Sequence, residues 1–236
     1  MIQAKTYFDR FLGWKRHDKQ NRVVYDSYAT MTLDMLTKES APGAMEELGE
    51  RYLFGIGTQA DVDKALALFQ KAADAGHPDA MQMLAEVYRT DKYGRKDLER
   101  YFIYLPQAAE QGSWKAMFNL AVACYRGKLA YDGFGVNMDH AEALSWTLKC
   151  EQMCRELLRV FFGRSTTQNL KDYFGEVYDT YLRAIFAAVK QYSEGDGVDK
   201  DVEKAKQIIT DAQKFHGQHM GAESDQLNQL LKKLGE

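Results

Sequence analysis

The sequence predicts an all-α fold, a solenoid of helix-turn-helix repeats stacked side by side. Three observations predict it. Small and apolar residues recur at a spacing of 36 residues (80 − 44), glycine pairs separate the helical stretches, and only 3 prolines occur in 236 residues. The defining unit is 44–79, AMEELGERYLFGIGTQADVDKALALFQKAADAGHPD. Ala44, Met45, Leu48, Gly49 and Tyr52 fall on one face of a helix of period 3.6. Pro42 suits the helix start, where its missing N–H would have no partner. Gly55 and Gly57 supply the turn, and Asp61 can cap the second helix. Ala65, Leu66, Leu68, Phe69, Ala72 and Ala73 fill the inner side of that helix. Gly76 ends it and Pro78 opens the next unit.

Shifted by 36, Ala44, Met45, Leu48, Gly49 and Tyr52 become Ala80, Met81, Leu84, Ala85 and Tyr88. Shifted again, they become Ala116, Met117, Leu120 and Ala121. A shift of 140 (184 − 44) restores the turn itself, with Tyr192, Gly195, Gly197, Asp201, Lys204 and Ala205. One helical hairpin cannot cover its own apolar face, so hairpins of this kind stack and share a core. Small residues such as Ala44, Gly49, Ala65 and Ala72 let the helices approach closely, and enlarging one costs roughly 1–3 kcal/mol.

In chain order, 1–43 reads as a degenerate capping repeat, with helices near 2–15 and 20–38 and an exposed charge run at 15–19. The repeat over 80–115 loses the first turn glycine to Asp91. It carries Tyr101 where Ala65 stands, which should spread the helices, and Pro106, which should kink or shorten the second helix. The repeat over 116–156 has a loop lengthened by 6 residues (78 − 72) at Lys128–Gly133. Between it and the next repeat the offset grows by 62 (140 − 78), which leaves 26 residues beyond one period. Those residues are helix-forming, so 157–183 reads as an extension of two elongated helices. Leu158, Phe161, Phe162, Tyr173, Phe174, Val177, Tyr178 and Tyr181 lie along it, either packed inward or partly offered to a partner. A last repeat covers 184–217, and 218–236 holds an amphipathic cap with Leu227, Leu230, Leu231 and Leu234 on one side. The whole chain reads as a single repeat domain.

These residues resemble the Sel-one-like repeat family, a relative of the tetratricopeptide repeats. Its pattern, A-x-x-x-L-G-x-x-Y-x-x-G-x-G-V followed by D-x-x-K-A and K-A-A-x-x-G, is met by Ala44, Leu48, Gly49, Tyr52, Gly55, Gly57, Asp61, Lys64, Ala65, Lys71, Ala72, Ala73 and Gly76. Thr58 replaces the valine, which Val136 and Val198 restore in later repeats. The resemblance covers about 44–216 and implies a right-handed α–α superhelix that binds a protein or peptide in a concave groove. It implies that the first helix of each repeat lines that groove. Residues two and six positions after each leading alanine would then point inward: Glu46, Glu50, Gln82, Glu86, Phe118, Val122, Phe186 and Lys190. This row runs from acidic to apolar and ends on a positive charge, which suits an aliphatic or aromatic side chain at its centre. In an alternative arrangement, the extended hairpin folds over Phe118 and Phe186 and blocks the groove.

The net charge of −3 argues against nucleic acid or a membrane surface as partner, and no apolar run reaches the ~18 residues of a membrane span. The first residues lack the apolar stretch of a signal peptide, and Cys124, Cys150 and Cys154 have no disulfide framework spacing. A reducing, cytoplasmic setting is expected. Cys150 and Cys154 stand i, i+4 but lack companions for a metal site, and Cys150 overlies the core position Ala72. His216 and His219 read as a polar helix end. The G-x-G pairs have no preceding strand and no phosphate-loop lysine, so they are turn chemistry. No catalytic motif is present, and no cofactor is expected. The expected function is therefore a non-catalytic adaptor, monomeric or homodimeric. Two alternatives stand beside it: self-association through the aromatic extension, and hydrolase activity of the kind the resemblance associates with cysteine-rich relatives, whose repeated disulfide cysteines are missing here.

Overall fold

A computed structural model describes residues 42–162, 168–220 and 224–235, with backbone alone at 161–162, 168–173 and 220. The degenerate repeat expected at the N-terminus, up to residue 41, lies outside the described residues, as do the side chains of Phe161, Phe162 and Tyr173. Regular structure among the described residues is helical throughout, with nine α-helices, two short 3₁₀ turns and no strand. The chain forms two compact units divided between Ala116 and Met117.

The first unit holds α1 (Pro42–Phe54), α2 (Val62–Asp74), α3 (Pro78–Arg89), α4 (Leu98–Glu110) and the first residues of α5 (Trp114–Arg126). Consecutive helices pack on one another from α1 to α4. Ala44, Leu48, Ala65, Phe69 and Ala72 are buried at the α1–α2 contact, as the helical period requires. Gly49 faces the Phe69 ring so closely that a Cβ there would stand 2.6 Å from Phe69 Cε1. In the next hairpin Tyr101 is taken fully into the core at 2% exposure, edge-on to Phe102 at 4.7 Å. Pro106 does not shorten α4, which runs on to Glu110. Its nitrogen has no hydrogen to donate to the Phe102 carbonyl, and its ring crowds that same carbonyl.

The second unit continues α5 and adds α6 (His140–Phe162), α7 (Gln168–Glu194), α8 (Val202–Met220) and α9 (Asp225–Gly235). Here α6 packs on α7, α7 on α8, and α8 on α9. The helix α6 runs to 23 residues and α7 to 27, against 13 for α1. Leu157, Leu158, Val177 and Tyr181 of the extension are buried, together with Ile185 and Ile209 of the following repeat, so the extension supplies part of this unit's core. Arg155 is folded into the same region, where its Nε donates to Glu151 Oε1 at 2.7 Å and its guanidinium lies over the rings of Tyr181 and Phe215. Burial pushes the Glu151 carboxyl above its ordinary range, and Arg155 works against that push.

One device recurs at the four turns α1–α2, α3–α4, α5–α6 and α7–α8. The N–H of an aspartate donates to a carbonyl of the first helix, and its carboxylate accepts from the N–H three residues on, capping the second helix. Asp61 joins Tyr52 O at 2.8 Å and Lys64 N at 3.0 Å. Asp97 joins Tyr88 O and Arg100 N, and Asp201 joins Tyr192 O and Lys204 N, in the same way. In the lengthened third turn Asp139 still reaches Cys124 O at 2.9 Å and Glu142 N at 2.8 Å. The extra residues are looped out above this bond as a 3₁₀ turn, Lys128–Tyr131, whose Leu129 is 93% exposed. Gly127 makes the pinch feasible, because its φ is +68° and a Cβ would stand 2.8 Å from Met138 Cβ.

Candidate functional site

The residues expected to line a binding face are surface positions of first helices. In the first unit Glu46 and Glu50 on α1, and Gln82 and Glu86 on α3, are half-buried. Glu86 is held by Arg89 in a two-point pair, Nη2 to Oε1 at 2.7 Å and Nε to Oε2 at 3.0 Å. The sequence reading missed Arg51, which is 4% exposed and donates to Glu47 Oε1 at 3.2 Å. Its place on the buried stripe, one residue before Tyr52, is the only sequence signal for that burial.

In the second unit Phe118 and Val122 on α5 are half-buried, whereas Phe186 and Lys190 on α7 are exposed. Phe186 is 36% exposed, so the described elements leave part of it open to solvent. The C-terminal ends of α5 and α7 are joined by a polar network that no local sequence pattern announces. Tyr125 Oη donates to Asp196 Oδ2 at 2.8 Å, and the other carboxylate oxygen of Asp196 meets His140 Nδ1. The His140 and Tyr125 rings stack at 4.5 Å. Gln191 Nε2 donates to the His140 carbonyl at 2.7 Å, and Lys190 lies 5.9 Å from the centre of the Tyr125 ring. The Tyr125 hydroxyl and His140 hold the Asp196 carboxyl below its usual range. Gly197 lets the α7–α8 turn approach, since a Cβ there would lie 2.4 Å from the His140 carbonyl carbon. These partners are 51 to 71 residues apart in sequence, beyond the reach of any local pattern.

Other candidate groups are engaged in packing. Cys124, Cys150 and Cys154 are free thiols, all buried as expected for Cys150 and Cys154. Burial pushes the Cys124 thiol up to about 12, which disfavours the reactive thiolate. Among the described residues no group of three or more His, Cys, Asp and Glu side chains is arranged to hold a metal. His216 and His219 are half-buried, 5.8 Å from Tyr178 and 4.7 Å from Phe215, and so belong to an aromatic cluster more than to an open helix end. Tyr181 is fully buried, and the Phe174 and Tyr178 rings stack on each other at 6.2 Å. The described aromatics of the extension thus largely pack against their own unit. No helix among the described residues is long and apolar enough to cross a membrane.

Comparison with known proteins bears on this surface through the fold. The sequence profile of the Sel1 repeat matches residues 42–77, 78–113, 114–149 and 187–207; the first three start two residues ahead of the frame read from Ala44, and the fourth starts three residues after 184. No curated protein matches the chain significantly. Among solved structures, the Sel1 repeat protein from Oxalobacter formigenes is 21% identical with a TM-score of 0.64 over 89% of this chain. Protein c5321, a protective antigen of uropathogenic Escherichia coli with an SLR fold, is 21% identical with a TM-score of 0.48 over 80% of this chain. The chain spans 50% of the first structure and 41% of the second. The first likeness shows the fold class, an all-α array of helix-turn-helix repeats, as the sequence predicts.

Proposed function

We propose that this chain, which belongs to the Sel1 repeat family, is a non-catalytic scaffold that binds a protein or peptide along the first-helix faces of its repeats. Proteins of this family generally serve in protein–protein interaction. The finer reading is supported above all by Phe186. Phe186 is exposed on α7, and Phe118 and Val122 on α5 are half-buried, apolar side chains at positions where the helical period alone would place polar residues. The acidic and polar positions Glu46, Glu50, Gln82 and Glu86 would contribute a second, hydrophilic contact region on the first unit. Three buried free cysteines fit work in a reducing compartment such as the cytoplasm, and a net charge of −3 favours a protein partner over nucleic acid.

The test is recovery of partners from cell extract on the tagged full chain and on a Phe118→Asp/Phe186→Asp variant. Circular dichroism should show unchanged helicity, and the partners held by the native chain should be lost from the variant. Unchanged recovery of those partners would mean that this face is not where they bind.

A further inference from the structure

The exposed residues of α7 form a stripe with an ordered charge pattern. Reading along the helix they are Gly175, Glu176, Asp179, Arg183, Phe186, Lys190 and Glu194, so a second carboxylate, Glu176, stands beyond Asp179 at the outer end. The aromatic ring stands between two cations, each within one helical turn, and a carboxylate lies outside each cation. Arg183 pairs with Asp179 at 2.8 Å, with side chains 63% and 58% exposed, and Lys190 approaches Glu194 at 3.9 Å, each 57% exposed. Pairs this open to water contribute little and exchange readily. On the neighbouring α5, Arg126 follows Val122 by one turn and pairs with no carboxylate among the described residues. Asp196, the other carboxylate near Lys190, is already occupied by Tyr125 and His140.

From this pattern we infer that the partner segment is an acidic amphipathic helix whose apolar residue contacts Phe186 between two carboxylates that take over Arg183 and Lys190. The inference rests on the scaffold reading and adds the chemistry of what is bound. Helical geometry sets the spacing. Arg183 and Lys190 are seven residues apart, about 10 Å along the axis at 1.5 Å per residue. Acidic residues three or four positions either side of an apolar one span the same distance on a partner helix lying alongside. Asp179 and Glu194, 15 residues apart, lie at about 22 Å and flank this span instead of opposing it. The same outer carboxylates would repel an acidic segment displaced by a turn or two in either direction, so the arrangement also favours one register.

The experiment is selection of helical peptides from a randomised display library on the immobilised full chain. The baits are the native protein, Phe186→Asp, and Arg183→Glu/Lys190→Glu, each checked for native helicity. Peptides retained by the native chain and lost from Phe186→Asp should be enriched in Asp and Glu three or four positions from an apolar residue. Those peptides should bind the charge-reversed bait about ten-fold more weakly or worse, and that bait should enrich Lys and Arg at the same places. Phe186-dependent peptides without acidic enrichment, or acidic peptides indifferent to the charge reversal, would refute the acidic partner and leave the scaffold reading standing. A library that yields no Phe186-dependent binder would remove this face from both.

Discussion

Replacing Gly49 with alanine tests whether close helix approach, and not helix propensity, governs the α1–α2 contact. An alanine Cβ would lie 2.6 Å from Cε1 and 2.8 Å from Cδ1 of Phe69, whose ring is completely buried. Ordinary carbon contacts lie at about 3.5–4.0 Å, so ring or helix must yield by roughly 1 Å. Overpacking of that kind costs about 1–3 kcal/mol. Exchanging glycine for alanine inside a helix returns about 1 kcal/mol. The expected net effect is therefore neutral to destabilising, by up to about 2 kcal/mol. The neighbouring hairpin supplies the control, since Ala85 and Leu105 occupy the positions equivalent to Gly49 and Phe69. In a Phe69→Leu background, Gly49→Ala should become stabilising by about 1 kcal/mol, so the two changes should couple by roughly 1–3 kcal/mol. Urea denaturation of the four proteins followed by far-ultraviolet circular dichroism measures this, provided that the m-values agree. Equal effects of Gly49→Ala in both backgrounds would refute the argument from the Phe69 contact.

Two further outcomes are expected. Asp139→Ala should cost about 1 kcal/mol by removing the cap on α6, and Asp139→Asn should restore most of it, as read from urea midpoints. The Asp196 carboxyl, held low in the folded chain chiefly by the Tyr125 hydroxyl, stabilises fully above its unfolded value near 3.8 and loses that contribution as pH falls through the lower folded value. Tyr125→Phe should therefore flatten the loss of stability between about pH 4 and pH 2, and equal acid slopes for both proteins would count against the role assigned to this bond.

The parts of the fold legible in the sequence are those that each repeat encodes within its own 36 residues. Glycine pairs mark turns because glycine adopts without strain the positive φ found at Gly55, Gly57, Gly195 and Gly197. Asp61 and Asp201 were legible as caps beside intact glycine turns, whereas Asp97 and Asp139 were hidden by a degraded turn and a six-residue insertion. The hydrogen bond from each aspartate N–H to the preceding helix survives both disguises, because it depends on backbone path and not on the residues between. The candidate face was legible only as a set of positions. That Phe186 is exposed while Tyr181, five residues earlier on α7, is fully buried follows from where α6 and α8 lie.

The sequence by itself determined that the chain is a run of helical hairpins, where each turn falls, and which stripe of each helix is apolar, since period and turn chemistry are local properties. Only the tertiary structure decided that Arg51 and Arg155 are drawn inward against glutamates, and that Tyr125, His140, Gln191 and Asp196 converge on one seam. These arrangements depend on the angle and depth at which one helix meets the next. That geometry is set by the summed volumes of side chains from distant repeats, and no window of neighbouring residues contains it.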